Sequence, residues 1–202
     1  IDRVYRGEKP QAGRFREFYQ CDIDVIGRDT LDLSYDAEIP SIIASIFSSL
    51  DLDFTIRINN RKILNGLFDS LKIEDRVSVL RTLDSMEKIG KEKTKAELKE
   101  IGLEGSQIEK IFDFYKLNEK DNKEIINSLK DLNISSDIFK QGVEELEIVM
   151  NEINTLGISS NVKIDLTVAR GLDYYTGTVY ETILNKYPEI GSVCSGGRYD
   201  DL

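Results

Sequence analysis

The chain changes its hydrophobic period twice, and this constrains its fold more than any bulk figure does. In the first part Tyr19, Cys21, Ile23 and Val25 alternate with Phe18, Gln20, Asp22 and Asp24. In the last part Val162, Ile164, Leu166 and Val168 alternate in the same way. A period of two puts one set on each face of a β-strand, so Cys21 is expected as a small core residue. Between these parts, from about Ile73 to Ile134, apolar residues take helical spacing. Val77, Leu80, Leu83 and Met86 come first, then Leu98, Ile101, Ile108, Ile111, Phe112 and Tyr115, with Lys and Glu in the gaps. A small helical module is therefore expected inside a β-containing framework.

The framework has further elements. Val4 to Arg6 reads as a short strand and the stretch 8–14 as a Pro/Gly loop. A helix is expected from Ile39 to Leu50 and a strand from Phe54 to Ile58. Asn60 is placed to cap a helix running from Arg61 to Leu71. A longer helix is expected from Ser136 to Leu156, stopped by Gly157. Thr178 to Leu184 and Ser192 to Ser195 read as strands around a turn at Pro188.

Composition excludes several classes. Of 202 residues, 40% are hydrophobic and 32% charged, which suits a globular chain rather than a disordered one. No apolar run reaches the roughly 20 residues of a membrane span. The first residues lack the charged-then-apolar order of a signal peptide. Two cysteines make no disulfide framework, which fits a reducing cytoplasm. With no histidine, the chain does not offer the ligand set of a zinc site. Net charge is -10, unlike a nucleic-acid glove, yet residues 1–16 hold five basic side chains against two acids.

Five segments could carry chemistry. Arg6 to Phe18 brings guanidiniums to one end of a hairpin, where forks can bind phosphate oxygens, Glu8 can accept from an amine and Phe18 can stack on a base. Solvated charges on an exposed hairpin explain the same spacing. Gln20, Asp22 and Asp24 share one strand face, as a ligand bracket or a solvent-facing edge would. The block Arg170 to Glu181 sets an arginine, an acid and the pair Tyr174–Tyr175 among glycines, which suits a small polar ligand or a packed turn. Ser195 to Asp200 holds paired glycines that permit close backbone approach, to a ligand or around a bend. Lys91, Lys95 and Lys99 form a stripe that suits RNA phosphates or plain solvation beside Glu partners.

In order along the chain, these segments resemble histidyl-tRNA synthetases, class II aminoacyl-tRNA synthetases. Arg6 to Gly27 resembles class II motif 2 in its histidine-specific form. Arg170 to Glu181 and Ser195 to Leu202 resemble the two histidine-specific signatures, and the helical stretch matches the family's insertion domain in position. The resemblance implies an α+β fold with an antiparallel-sheet class II core, truncated at both ends. It divides the chain into core (1–71), helical insertion (72–135) and core again (136–202).

The resemblance also implies roles. Arg6 would hold the α-phosphate of ATP, Glu8 the adenine amine and Arg14 the γ-phosphate, with Phe18 stacked on adenine. Gln20 would contact the amino group of histidine, while Asp24 and Tyr175 would hold the two imidazole nitrogens. Tyr174 and Tyr199 would line the pocket. Arg170 would sit over the carboxylate and α-phosphate during adenylate formation. Expected partners are histidine, ATP with its Mg²⁺ and tRNA(His), with a homodimer for the full-length protein and no membrane. Motif 1 would precede Ile1 and motif 3 would follow Leu202, so the stretch alone is expected to be nearly inactive. Two non-catalytic relatives remain as alternatives: the histidine-sensing regulatory subunit of ATP phosphoribosyltransferase, and a synthetase-like domain that senses uncharged tRNA.

Overall fold

The computed structural model describes residues 1–7, 9–10, 15–169 and 174–201. The first element is an antiparallel hairpin of β1 (Asp2–Tyr5) and β2 (Glu17–Gln20), with Val4 opposite Phe18 and Asp2 opposite Gln20. Helix α1 (Tyr35–Ser49), strand β3 (Phe54–Asn60) and helix α2 (Arg61–Ser70) follow. Then come α3 (Arg76–Asp84), α4 (Met86–Ile89), α5 (Lys91–Glu100), α6 (Gly105–Tyr115), a 3-10 turn (Lys116–Glu119) and α7 (Asn122–Asp131). Helix α8 (Asp137–Thr155) leads to β4 (Val162–Ile164), β5 (Thr178–Leu184) and β6 (Ser192–Gly197).

The larger sheet has the order β4-β3-β5-β6. β5 is antiparallel to both neighbours, but β4 runs parallel to β3. The α+β class holds, and the sheet is mixed rather than wholly antiparallel. The reason lies in the connection: the helices between β3 and β4 form a crossover long enough to return the chain in the same direction.

Local signals set the helix ends. The Asn60 side chain accepts from the Lys62 amide, Asp75 from Ser78, Asp121 from Glu124 and Ser136 from Phe139. Each satisfies a donor that the first helical turn leaves free. Past the C-terminal end of α8, Gly157 takes a φ of +76°, a left-handed stop that glycine adopts without a side-chain penalty.

The core lies where α2 and α8 cross over the sheet. Ile56 and Ile58 on β3, Ile63, Leu64 and Phe68 on α2, and Leu146 and Ile153 on α8 are fully buried. Each such side chain contributes about 1.5–3 kcal/mol by leaving water. The two helices approach at glycines. A Cβ on Gly66 would lie 2.5 Å from the Phe139 Cβ, and one on Gly142 2.7 Å from the Ile63 amide nitrogen. In the helical stretch Leu80, Leu98, Ile111, Ile125 and Leu129 are buried and continue the same core.

Three expectations need correction. The alternation over residues 15–26 gives a ladder only to Gln20, and Tyr19 (68%), Ile23 (42%) and Cys21 are exposed. No further strand pairs with the hairpin among the described residues, and Val4, Phe18 and Gln20 are only partly buried. The alternation from Val162 to Val168 does bury Leu166 and Val168, but the strand ends at Ile164. Val77, expected on a core stripe, is 41% exposed. Among the described residues no helix is long and apolar enough to cross a membrane.

Candidate active site

The hairpin places Arg6 just past β1, where its amide donates to the Arg16 carbonyl at 2.8 Å. Its guanidinium sits 4.8 Å over the Phe18 ring and donates to Gln20 Oε1 at 3.4 Å. Gln20 Nε2 donates in turn to Asp22 Oδ1 at 2.5 Å. Arg6, Phe18 and Gln20 therefore form one contiguous group: a cation over an aromatic face, beside an amide. Glu8 and Arg14, assigned to the same end, lie outside the described residues, as does Arg170.

Asp24 meets a distant part of the chain. It accepts a hydrogen bond from the Tyr199 hydroxyl at 2.8 Å. That bond raises the Tyr199 pKa above the usual phenol value, since ionising Tyr199 would set two anions together. Tyr174 and Tyr175 stack with ring centroids 4.2 Å apart. Burial, first, pushes the Tyr175 phenol well above its usual range, followed by its hydrogen bond with Tyr174 and the nearby Asp24 carboxylate. Tyr175 thus stays protonated at neutral pH, able to donate or accept one hydrogen bond. The fold brings Asp24, Tyr174, Tyr175 and Tyr199 into one neighbourhood, although Asp24 and Tyr175 are 151 residues apart in the chain.

The paired glycines have a use that sequence reading left open. A Cβ on Gly197 would lie 2.7 Å from the Thr178 carbonyl oxygen and 2.9 Å from the Tyr175 ring. Glycine is required there so that Tyr175 can lie flat on the strand. Next to it, Arg198 anchors the whole corner. Its Nη1 donates to Asp36 Oδ1 at 2.9 Å, its Nη2 to the Leu31 carbonyl at 2.5 Å and its Nε to Asp200 Oδ1 at 2.9 Å. Thr176 donates from its amide to the Arg198 carbonyl at 2.8 Å and from its hydroxyl to Asp200 at 2.7 Å. Burial raises the Asp36 pKa above the usual carboxylate range, against the Thr178 hydroxyl and the Arg198 guanidinium.

Arg198, Asp36 and Asp200 were missed as site supports. Arg198 and Asp200 stood in a segment read only for its glycines and tyrosine. Asp36 gave no signal, because an acid in the first turn of a helix is ordinary. The lysine stripe takes the bland reading for Lys95, whose amine lies 3.4 Å from Glu92 and 5.1 Å over the Phe112 ring. An open cavity of about 460 Å³ lies elsewhere, lined by Leu67, Phe114 and Leu132 among others, and includes none of the site residues.

Comparison with known proteins bears on the same arrangement. A family model described as histidyl-tRNA synthetase matches residues 1–202. A histidine–tRNA ligase of Clostridium tetani is 60% identical across the whole chain, which covers 46% of that relative. The crystal structure of histidyl-tRNA synthetase from Nostoc sp. PCC 7120 superposes with a TM-score of 0.93 at 46% identity, covering all of this chain and 47% of that one. A Bacillus halodurans structure named as an ATP phosphoribosyltransferase regulatory subunit/histidyl-tRNA synthetase has a TM-score of 0.81 at 26% identity, covering 99% of this chain and 50% of that one. The chain thus spans just under half the length of the curated relative at 60% identity. With the family match running from its first residue to its last, this chain belongs to the histidyl-tRNA synthetase family.

Proposed function

We propose that this chain forms part of a histidine–tRNA ligase, which activates histidine with ATP to histidyl-adenylate and transfers it to tRNA(His). The observation that supports the reading best is the meeting of Asp24 with Tyr199 beside the Tyr174–Tyr175 pair. An imidazole has two nitrogens, and a carboxylate and a phenol can satisfy both. Asp24 is exposed and Tyr175 partly so, and a bound ring would cover both; a ligand lacking one nitrogen would then leave one of them covered and unpaired, which rejects it strongly. Gln20, bonded to Arg6 at the mouth of the hairpin, stands between this pocket and the phosphate end.

In this reading Asp24 and Tyr175 hold the ring, Tyr174 and Tyr199 line the pocket, and Gln20 takes the amino group. Phe18 and Glu8 hold adenine. Arg6, Arg14 and Arg170 neutralise the triphosphate, with Mg²⁺ arriving on ATP. Attack of the histidine carboxylate on the α-phosphate needs alignment and charge neutralisation rather than a protein nucleophile. Arg6 and Arg170, from separate segments, supply that charge. We further propose the division into core (1–71 and 136–202) and helical insertion (72–135), a homodimer for the full-length protein, and a cytoplasmic role in protein biosynthesis. The 202-residue stretch alone is expected to show little exchange activity.

The regulatory-subunit alternative is weaker, since the ligase relatives share 46–60% identity against 26% for the structure bearing that name. The test is Arg170→Ala in a full-length ligase carrying this sequence. Histidine binding by calorimetry is expected to survive while adenylation falls by about 10²-fold or more, the usual cost of losing a transition-state charge partner. Unchanged turnover would remove Arg170 from its role.

A further inference from the structure

The chain just before Arg170 is held from two sides, and one side belongs to the helical stretch. β4 is an edge strand, with β3 on its inner side. Two asparagine amides cover the outer edge. Asn122 Oδ1 accepts from the Ile164 amide at 2.8 Å, and its Nδ2 donates to the Val162 carbonyl at 2.9 Å. Asn118 Oδ1 accepts from the Leu166 amide at 2.9 Å, and its Nδ2 donates to Asp165 Oδ1 at 2.9 Å. Asn118 lies in the 3-10 turn and Asn122 opens α7, so two successive elements reach backbone amides at alternate strand positions, ~6.6 Å apart. The two amides thus do the work of a missing neighbour strand.

The inner side is held as firmly. Asn59 Nδ2, fully buried, donates to the carbonyls of Leu166 at 3.2 Å and Val168 at 2.9 Å. Arg61 Nη1 donates to the Ala169 carbonyl at 2.9 Å. The Asp165 side chain also takes the Thr167 amide at 3.0 Å and stands 3.3 Å from Arg57. Val168 and Ala169 are 3% and 2% exposed, so unpaired polar backbone here would be costly. Arg170 is the next residue in the sequence.

We propose that Asn118 and Asn122 are positioning residues for the backbone of residues 162–169, which precedes Arg170 in the chain, coupling the helical stretch to adenylate formation. The inference rests on the reading of Arg170 given above. Neither asparagine touches a substrate in that reading; each acts through the backbone it holds. A shift of the helical stretch relative to β4 would move residues 162–169, the backbone that leads to Arg170. Misplacement by about 1 Å can cost 10²-fold in rate.

The test uses a full-length ligase carrying this sequence, with the double variant Asn118→Ala, Asn122→Ala. Histidine-dependent ATP–pyrophosphate exchange gives kcat and the histidine KM, and hydrogen–deuterium exchange reports on the backbone. The expected result is a fall in kcat of about tenfold or more, a histidine KM within about twofold, and faster amide exchange confined to residues 162–175. A wild-type kcat overturns the proposal. So does a fall in kcat accompanied by an equal rise in KM and faster exchange throughout the chain, which marks general loosening. If the double variant does not fold, Asn118→Ala alone is judged by the same criteria. Arg170→Ala is measured alongside. If it keeps full kcat, the reading of Arg170 fails by itself, and the local amide exchange still decides whether the asparagines set the backbone of residues 162–169.

Discussion

The hairpin that carries Arg6, Phe18 and Gln20 leaves Tyr5 71% and Tyr19 68% exposed, whereas strand β5 keeps Thr178 to Thr182 at 7% or less. The hairpin's visible ties are peripheral: Arg3 to Glu17 at 3.1 Å, both more than half exposed, and Arg3 over the Tyr19 ring. The sheet side is tied by the nearly buried Arg198–Asp36 pair and by backbone bonds from Thr176 and Arg198. The tyrosines proposed to hold the ring therefore stand on a prebuilt wall, while the residues proposed to bind phosphate stand on a hairpin with little packing of its own. The Tyr199–Asp24 bond joins the two. Such a division suits a site that must read one rigid ring and accommodate a flexible triphosphate.

Three substitutions break or sharpen this contrast. Asp36→Ala is expected to have the largest effect. It strips a buried partner from Arg198 and should destabilise the fold by about 3 kcal/mol, the lower end of the usual cost because Asp200 still pairs the guanidinium. Denaturant unfolding measures it, and a loss within about 0.5 kcal/mol would show that the wall does not depend on this pair. Tyr199→Phe comes next. Removing one donor to a carboxylate should weaken histidine binding by about 1.5 kcal/mol, roughly tenfold, with little change in stability. Calorimetric titration with histidine decides this, and unaltered affinity would leave the bond structural only. Arg3→Ala is expected to matter least, at under about 1 kcal/mol, since an exposed pair contributes little. A large drop in melting temperature would mean the hairpin is more than a lightly held arm.

Much of the fold was legible because periodicity and caps are local. The Asn60 cap, the Ser136–Gly157 helix limits and strands β3 and β5 follow from short-range chemistry. The hairpin misled because alternation reports two faces but not whether either is covered, so Cys21 and Ile23 emerged exposed. In the site, Asp24, Tyr175 and Tyr199 were found through the order of their motifs, not through any local pattern. Arg198, Asp36, Asn59 and Arg61 escaped for a different reason. Their partners lie 100 or more residues away in the chain, from Asp36 for Arg198 to Leu166 for Asn59. Three polar residues in a row across the buried junction of β3 and α2, Asn59-Asn60-Arg61, were the one available hint.

The central claim is that this site activates histidine rather than merely sensing it. Its most direct test is ATP–pyrophosphate exchange by a full-length protein carrying this sequence, with histidine and with an analogue in which one ring nitrogen is replaced by carbon. Exchange is expected with histidine and a loss of about 10⁴-fold with the analogue, because a partner that the bound ring covers would be left unpaired. Tight histidine binding with no exchange at any ATP concentration would contradict the claim and identify a sensor.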